Sequence, residues 1–334
     1  MLSIVIPVRD EAGSLVMLHG EIRAVASEQG YDVEAIFVDD GSSDPSWEVI
    51  EQLAGTDERV RGIRFRRNFG KAAALDAGFR AARGETIVTL DADLQDDPRE
   101  IPKLLEKIGK RCDVVSGWKQ VRHDPWHKVL PSRVFNWLVG RMTGVKLHDH
   151  NCGMKAYRRE VFDEVRLYGE LHRFVPVLAA ARGFRVGEAV VNHRPRKFGR
   201  SKYGVGRFIK GFLDLLTVKF LTGFGQRPQH LLGAAGLLFV FLGALGLGYL
   251  AIYWVFAQLN PDWHLTPLHD RPLLLYSLAS LLFGGQLMSI GFVAELVTAH
   301  LSREMQAYSI AEQVNEPEAQ ESAARSQKPG SNNR

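Results

Sequence analysis

Acidic residues in this chain fall in short runs directly behind apolar stretches. Arg9, Asp10 and Glu11 follow SIVIPV, Asp39-Asp40-Gly41-Ser42-Ser43-Asp44 follows VEAIFV, and Asp91-Ala92-Asp93-Leu94-Gln95-Asp96-Asp97 follows ETIVTL. Clustered carboxylates of this kind suit a hard divalent cation, held by oxygen ligands, that neutralises a diphosphate. Asp91-Ala92-Asp93 supplies such ligands. Each run also has a plain structural use, since Asp-Gly-Ser-Ser-Asp makes a good turn and helix cap and an isolated Asp-x-Asp is common. Their shared position is the stronger signal, because open parallel sheets bind ligands beyond the carboxyl ends of their strands. The stretch RNFGKAAALDAGF adds a basic loop opening a helix, where Arg67, Asn68 and Lys71 could meet phosphate or sugar hydroxyls. Neither GxGxxG nor GxxxxGKS/T follows an apolar run, which argues against a dinucleotide dehydrogenase or a P-loop nucleotidase.

Those runs need elements to hold and aim them. Short apolar segments alternate with helical patterns over residues 1 to about 195, which predicts an α/β domain with a mostly parallel sheet and crossover helices. Strands are predicted at Ser3 to Val8, Val33 to Val38, Val60 to Phe65, Glu85 to Leu90 and Cys112 to Gly117. Helices are predicted at about Ala12 to Gln29, Ser46 to Ala54, Lys71 to Arg83 and Pro98 to Lys110. Of the 334 residues 46% are hydrophobic and 24% charged, near the globular average. The two cysteines, Cys112 and Cys152, make neither a disulfide framework nor a zinc spacing, which points to a cytosol-facing body.

The remainder is segregated. From Pro228 to Pro261, and again from Pro272 to Ala294, no Asp, Glu, Lys or Arg occurs. The first apolar core, Leu231 to Ala257, would be roughly 40 Å long as a helix, enough to cross a ~30 Å hydrocarbon layer. The second, Leu273 to about Ala299, carries Gln286 and Glu295, which should face a partner helix, a neighbouring subunit or the interface. Arg196, Lys197, Arg200, Lys202, Arg207, Lys210, Lys219 and Arg227 precede the first span, whereas the connection Gln258 to Arg271 sets Arg271 against Asp262 and Asp270. Lys and Arg stay on the cytoplasmic side, so the connection is expected outside and both termini and the large body inside. The net charge of +4 thus clusters beside the membrane, where lipid head groups explain it better than nucleic acid. MLSIVIPVRDEAG is too short an apolar run, broken by Pro7, for a signal peptide.

Gly204 to Phe224 mixes apolar residues with Arg207, Lys210 and Lys219 and predicts one or two interfacial amphipathic helices. Glu312 to Arg334 has almost nothing to bury and is expected to be a disordered tail. The expected layout is a catalytic domain over 1–200, juxtamembrane helices over 201–227, spans over 228–257 and 273–299 joined by 258–272, and a tail over 300–334. Gly243, Gly246 and Gly248 could permit close helix packing in a homo-oligomer.

Six segments in order, VIPVRDEAGSL, VDDGSSD, RNFGKAAALDAGF, LDADLQDDP, DHNCGMKAYRREV and FGRSKYG, closely resemble the family 2 glycosyltransferases of GT-A fold that charge polyprenyl phosphates. These include dolichyl-phosphate mannosyltransferases, undecaprenyl-phosphate glucosyltransferases and aminoarabinose-carrier transferases. The resemblance spans about residues 1 to 300, with one departure at Arg9-Asp10, where many relatives carry an aromatic residue and Asn. It implies that Pro7, Glu11 and Asp39 or Asp40 line the base and ribose of a nucleotide-diphosphate sugar, with Lys71 also on the donor. It further implies that Asp91, Asp93 and Gln95 hold Mg2+ or Mn2+ against the donor diphosphate, Asp93 and Asp149 being catalytic. Ser132 and Arg133 in LPSRVFNWLVGRMTG, with Arg200 and Lys202 in FGRSKYG, are the candidates for the phosphate of a polyprenyl acceptor.

The implied reaction is inverting transfer of one sugar, from a UDP-hexose or GDP-mannose, to undecaprenyl or dolichyl phosphate at the cytoplasmic face of a bacterial inner membrane. A processive synthase is disfavoured by the missing QxxRW motif and the presence of only two spans. Another lipid acceptor, or a silent membrane scaffold that recruits a flippase or a second transferase, are the rival readings. His148 and His150 beside Asp149 invite a metal site, but the magnesium-type cluster lies elsewhere. Met154 and Tyr157 read as core, and no segment announces which sugar is carried.

Overall fold

The computed structural model describes residues 1–120, 126–165, 167, 169, 171–194, 206–224, 228–261 and 266–301. The chain runs β1 (Leu2–Val8), α1 (Ala12–Gln29), β2 (Val33–Asp39), α2 (Ser46–Thr56), β3 (Val60–Arg64), α3 (Lys71–Ala81), β4 (Thr86–Thr89), α4 (Ile101–Leu105) and β5 (Val114–Trp118). It continues through α5 (Trp126–Thr143), β6 (Lys155–Arg158), α6 (Val161–Glu164), α7 (Val175–Ala181), β7 (Val186–Val190), α8 (Gly206–Phe224), α9 (Pro228–Leu259) and α10 (Pro272–Leu301). The strands form one seven-stranded sheet in the order β3-β2-β1-β4-β6-β5-β7. All neighbouring pairs are parallel except those of β6, which runs antiparallel between β4 and β5.

The near-continuous apolar runs of β1 and β2 are explained by burial on both faces. Alternate residues feed separate cores. Ile4, Ile6, Val8, Phe37 and Val115 pack with Leu15, Leu18, Ile50 and Leu104 from α1, α2 and α4. Val5, Ile36, Val38, Val114 and Tyr157 pack with Leu75, Phe79, Val161 and Val175 from α3, α6 and α7. A third cluster joins Phe135 and Val139 of α5 to Val177 of α7 and to Leu215 and Val218 of α8. Met154 and Tyr157 are core residues, as expected.

The sheet differs from the sequence expectation at an inner strand, β6, and at an edge strand, β7. Strands β6 and β7 lie outside the predicted set, KAYR because it is short and polar and VGEAV because Gly187 and Glu188 break an already short apolar run. The helix predicted over Pro98 to Lys110 is a 3-10 turn, Pro98–Glu100, followed by the five-residue α4. Gly109, at φ 77°, turns the chain so that its N–H reaches the Cys112 carbonyl 2.9 Å away and the strand can begin. The expected amphipathic segment is one helix, α8, which buries Leu215 and Val218 against the body and leaves Phe212, Leu213 and Leu216 exposed.

Helices α9 and α10 include two segments long and apolar enough to cross a membrane, Gln229–Leu259 and Pro272–Leu296, each with only 11% of its most apolar window buried. Leu237, Leu238, Phe241, Ile252 and Leu282 point outward, which in water would be a large unpaid apolar surface and in lipid is none. The helices meet through glycines. A Cβ on Gly236 would lie 2.7 Å from the Gly284 carbonyl, and one on Gly284 2.6 Å from the Gly236 carbonyl. Gly243 and Gly246 face Ser277 and Leu281 of α10 in the same way, so the close approach expected between chains is used within one chain. Gly248 faces open space. Glu295 accepts from the Gln229 N–H at 3.2 Å, placing a carboxylate at the N-terminus of α9, while Gln286 lies on the exposed side of α10.

Gly284→Leu is therefore expected to weaken the hairpin by about 1–3 kcal/mol through overpacking. Gly248→Leu has room and should not. Heating both variants in detergent and following the monodisperse peak by size exclusion checks this; equal melting of the two would contradict the packing.

Candidate active site

The carboxyl ends of β1, β2, β4 and β5 open on one edge of the sheet, and the acidic runs gather there. After β1, Asp10 adopts φ 52°, and its Oδ1 accepts from the Ser43 N–H at 2.7 Å and hydroxyl at 3.0 Å. The Asp10 and Glu11 N–H groups donate to the hydroxyls of Ser42 and Ser46, at 2.9 and 3.0 Å. Glu11 thus stands half-buried at the start of α1, and Pro7 half-buried in β1.

Asp39 and Asp40 are both buried, and both are engaged in shaping the loops. Asp39 Oδ1 accepts from the Ser42 N–H at 3.0 Å, and Oδ2 lies 3.6 Å from Arg64 Nε. Asp40 gathers the Phe69 N–H at 2.6 Å, the Gly70 N–H at 3.0 Å and the Asn68 amide, so it ties down the basic loop. Burial raises its carboxyl above the ordinary range, against the lowering pull of those N–H groups. Asn68, expected to meet phosphate or sugar, is oriented on Asp40 instead. Gly41, at φ 66°, lets the two loops touch, since a Cβ there would lie 2.5 Å from the Arg67 carbonyl carbon.

Lys71, the first residue of α3, extends its ammonium to Asp91. Burial would raise the Asp91 carboxyl, but the charge and hydrogen bond of Lys71, with Lys119 and Lys155 behind them, hold it down at about 2. The turn beyond is sharp. Leu94 has φ 62°, Asp93 Oδ1 accepts from the Gln95 N–H at 3.1 Å, and Asp96 lies 2.8 Å from Lys119 Nζ. The far side is fastened by Arg194, whose N–H donates to the Gln95 carbonyl at 3.0 Å and whose guanidinium spans Asp97 at 2.6 Å and Glu21 at 2.8 Å. Gly153 lets Asp91 sit against the β6 approach, because a Cβ there would run into the Asp91 carboxylate.

Lys155 is buried in β6, opposite Thr89 of β4 and Ser116 of β5, and donates to the Cys152 carbonyl. Burial pulls its ammonium pKa down, and the carboxylates of Asp149 and Asp91 oppose that pull. Cys152 is pushed up to about 12 by burial and stays a thiol at neutral pH. Asp149 is buried in the loop before β6, its Oδ1 accepting from the Asn151 N–H at 3.1 Å and its carbonyl from the Ser116 hydroxyl at 3.2 Å. Ser132 and Arg133 lie on α5, Arg133 exposed. Arg200 and Lys202 lie outside the described residues.

The donor set fits a small hard cation. Asp91, Asp93 and Gln95 occupy one turn and offer two carboxylates and an amide oxygen. Among the described residues no three His, Cys, Asp or Glu side chains converge on a point. Such a sparse set suits Mg2+ or Mn2+, which complete their shells with phosphate and water, better than an all-protein cage. The residues that sequence reasoning missed are Lys119 and Lys155. Lys119 obeys the after-strand rule behind CDVVSGW, whereas Lys155 sits inside a strand that the apolar pattern does not reveal.

His150 is fully buried, and burial, with the charge of Lys155, lowers its imidazole to about 4. His172 is lowered well below 6.5 by burial too. The folded protein binds these protons more weakly than the unfolded chain, so their stabilisation is full above pH 6.5 and declines as pH falls, for His150 through about 4. His150→Gln should flatten that decline by on the order of 2–3 kcal/mol. Denaturant midpoints from pH 7 to 4.5 check this, and an unchanged slope would contradict it.

Comparison with known proteins agrees with this architecture. Residues 3–166 match Glycosyl transferase family 2. Over 303 residues the chain is 37% identical to a dodecaprenyl-phosphate galacturonate synthase of Rhizobium johnstonii, covering 89% of this chain and 87% of that one. It is 36% identical over 296 residues to an undecaprenyl-phosphate 4-deoxy-4-formamido-L-arabinose transferase of Pseudomonas fluorescens, covering 88% and 83%. Among solved structures, a mannosyl-3-phosphoglycerate synthase from Rubrobacter xylanophilus superposes with TM-score 0.55 at 15% identity, over 66% of this chain and 74% of that one. A glucosyl-3-phosphoglycerate synthase from Mycobacterium tuberculosis gives TM-score 0.52 at 15% identity, over 66% and 78%. The chain belongs to glycosyl transferase family 2 and is a glycosyltransferase with a GT-A-like sheet.

Proposed function

We propose that this enzyme moves a single sugar from a nucleotide-diphosphate sugar to polyprenyl phosphate at the cytoplasmic face of a bacterial inner membrane, with inversion at the anomeric carbon. The observation that carries the reading is the Asp91–Asp93 turn, ringed by Lys71, Lys119 and Lys155, in a chain whose last helices are apolar on their outer faces. The names of the two curated relatives support the acceptor class, each carrying a prenyl phosphate. The donor is a UDP-hexose or GDP-mannose, or a relative of the galacturonate and formamidoarabinose in those names. Residues 1–200 are the catalytic domain, 201–227 the juxtamembrane segment, 228–257 and 273–299 the spans, and 300–334 a cytoplasmic tail.

Pro7, Glu11, Asp39 and Asp40 shape the nucleotide end of the site. Asp91, Asp93 and Gln95 would hold Mg2+ or Mn2+, whose chemistry when bound is to stabilise charge developing on the leaving diphosphate. Lys71 stands at the N-terminus of α3, where its ammonium and the helix end favour a phosphate. Ser132, Arg133, Arg200 and Lys202 hold the acceptor phosphate. A phosphate monoester has its second pKa at about 6 and is ionised at neutral pH, so alignment rather than a strong base is what the site must provide. An acceptor oxygen bonds to the anomeric carbon as the bond to the diphosphate oxygen breaks, and the electron pair leaves with the nucleoside diphosphate. Asp149 lines the reacting centre beside the acceptor.

The test uses full-length protein in nanodiscs with sugar-labelled UDP-glucose, UDP-galacturonate, UDP-4-deoxy-4-formamido-L-arabinose and GDP-mannose. Label from one donor is expected in an organic-extractable product only when polyprenyl phosphate is present. Label moving equally well to a lipid lacking phosphate would overturn the acceptor assignment.

A further inference from the structure

The segment carrying Asp149 is held by hydrogen bonds to the backbone on both sides of that residue. Asn136 of α5 is buried, and its Nδ2 donates to the His148 carbonyl at 2.6 Å while its Oδ1 accepts from the His150 N–H at 3.4 Å. Glu188 of β7 accepts from the His148 N–H at 2.9 Å and pairs through its other oxygen with His148 Nδ1. Trp118, at the end of β5, stacks on the His148 ring with centroids 4.0 Å apart and planes 14° from parallel. Ser116, in the same strand, donates its hydroxyl to the Asp149 carbonyl. Three separate elements therefore converge on the residues either side of one carboxylate, and the His148 side chain they grip is 63% exposed. An exposed histidine adds little to a core, so so dense a set of partners needs another reason.

We infer that Asn136 and Glu188 are positioning residues that fix the Asp149 carboxylate for sugar transfer, a role that rests on the reading of Asp149 and the acceptor given above. Asn136 holds both neighbours of Asp149 from the α5 side, and Glu188 holds the preceding residue from the sheet side. Ser132 and Arg133 lie four and three residues before Asn136, one helical turn away on the same side of α5. The acceptor-phosphate candidates and the clamp on Asp149 thus ride on one rigid element, so their spacing does not depend on loop packing. Hydrogen bonds of this kind convert a mobile loop carboxylate into one held within the tolerance that catalysis demands.

The test compares wild type with Asn136→Ala, Asn136→Asp, Glu188→Ala and Glu188→Gln, as full-length proteins in nanodiscs, with polyprenyl phosphate and the preferred donor. Asn136→Ala is expected to lower kcat for transfer by ~10²-fold, with KM for donor and acceptor within about twofold and an intact folding transition. Asn136→Asp keeps the volume but sets a carboxylate against the His148 carbonyl, and should fall similarly. Glu188→Gln still accepts from the His148 N–H and should retain clearly more kcat than Glu188→Ala. Unchanged kcat in the Asn136 variants, or kcat lost in parallel with donor affinity, would overturn the inference. Wild type that transfers no sugar to polyprenyl phosphate would overturn the acceptor reading and the inference with it.

Discussion

Asp91→Asn is expected to lose ~10³-fold or more in transfer rate while the protein stays folded. The carboxylate stands at the carboxyl end of a central strand, half-buried, and three lysine charges hold it ionised far below neutral pH. That arrangement maintains a negative oxygen donor where a diphosphate would arrive. The amide keeps the shape and removes the charge, so Lys71, itself 31% exposed, can turn to solvent without leaving a buried unpaired ion. Transfer rates with saturating metal and donor check the loss, and thermal melts check the fold. A variant that keeps more than a tenth of the wild-type rate would remove Asp91 from the reaction.

Arg133→Ala should raise KM for the polyprenyl phosphate by roughly 10- to 100-fold, the loss expected when a charge-assisted contact worth about 1.5–3 kcal/mol disappears. Donor affinity, set by the loops that follow β1, β2 and β4, should not move. Arg133 is exposed on α5 and, among the described residues, has no ion pair within the chain, so its guanidinium is available to an anion from solvent or a lipid surface. Titrating acceptor against a fixed donor, beside nucleotide binding measured by calorimetry, separates the two effects. An unchanged acceptor KM would show that the phosphate lands elsewhere.

What the sequence reveals of this fold follows from how each part is stabilised. Strands β1 and β2 are buried on both faces and leave nearly continuous apolar runs, so they and the acidic ends behind them are legible. The apolar helices are legible for the same reason, because lipid, like a core, demands continuous hydrophobicity. Strand β6 is different: KAYR is accepted in the middle of the sheet only because neighbouring strands pair its backbone and Lys155 finds acidic neighbours and a carbonyl, none of which is local in sequence. The roles of Asp40 and Asn68 are hidden likewise, since their mutual bond joins residues 28 positions apart. Gly243 and Gly246 show the converse. Small residues on a helix announce close packing, but only the hairpin geometry tells that the partner is α10 of the same chain.

The central claim is that an anionic prenyl lipid is the second substrate of a site organised around Asp91. The most direct measurement follows nucleoside diphosphate release by full-length protein in nanodiscs, with Mg2+ or Mn2+, across the donor panel, with and without polyprenyl phosphate, beside Asp91→Asn. Release that requires the lipid phosphate, the metal and Asp91 together, with one preferred donor, is the predicted result. Release that proceeds at the same rate without the lipid phosphate, or no release with any donor from folded protein, would contradict it.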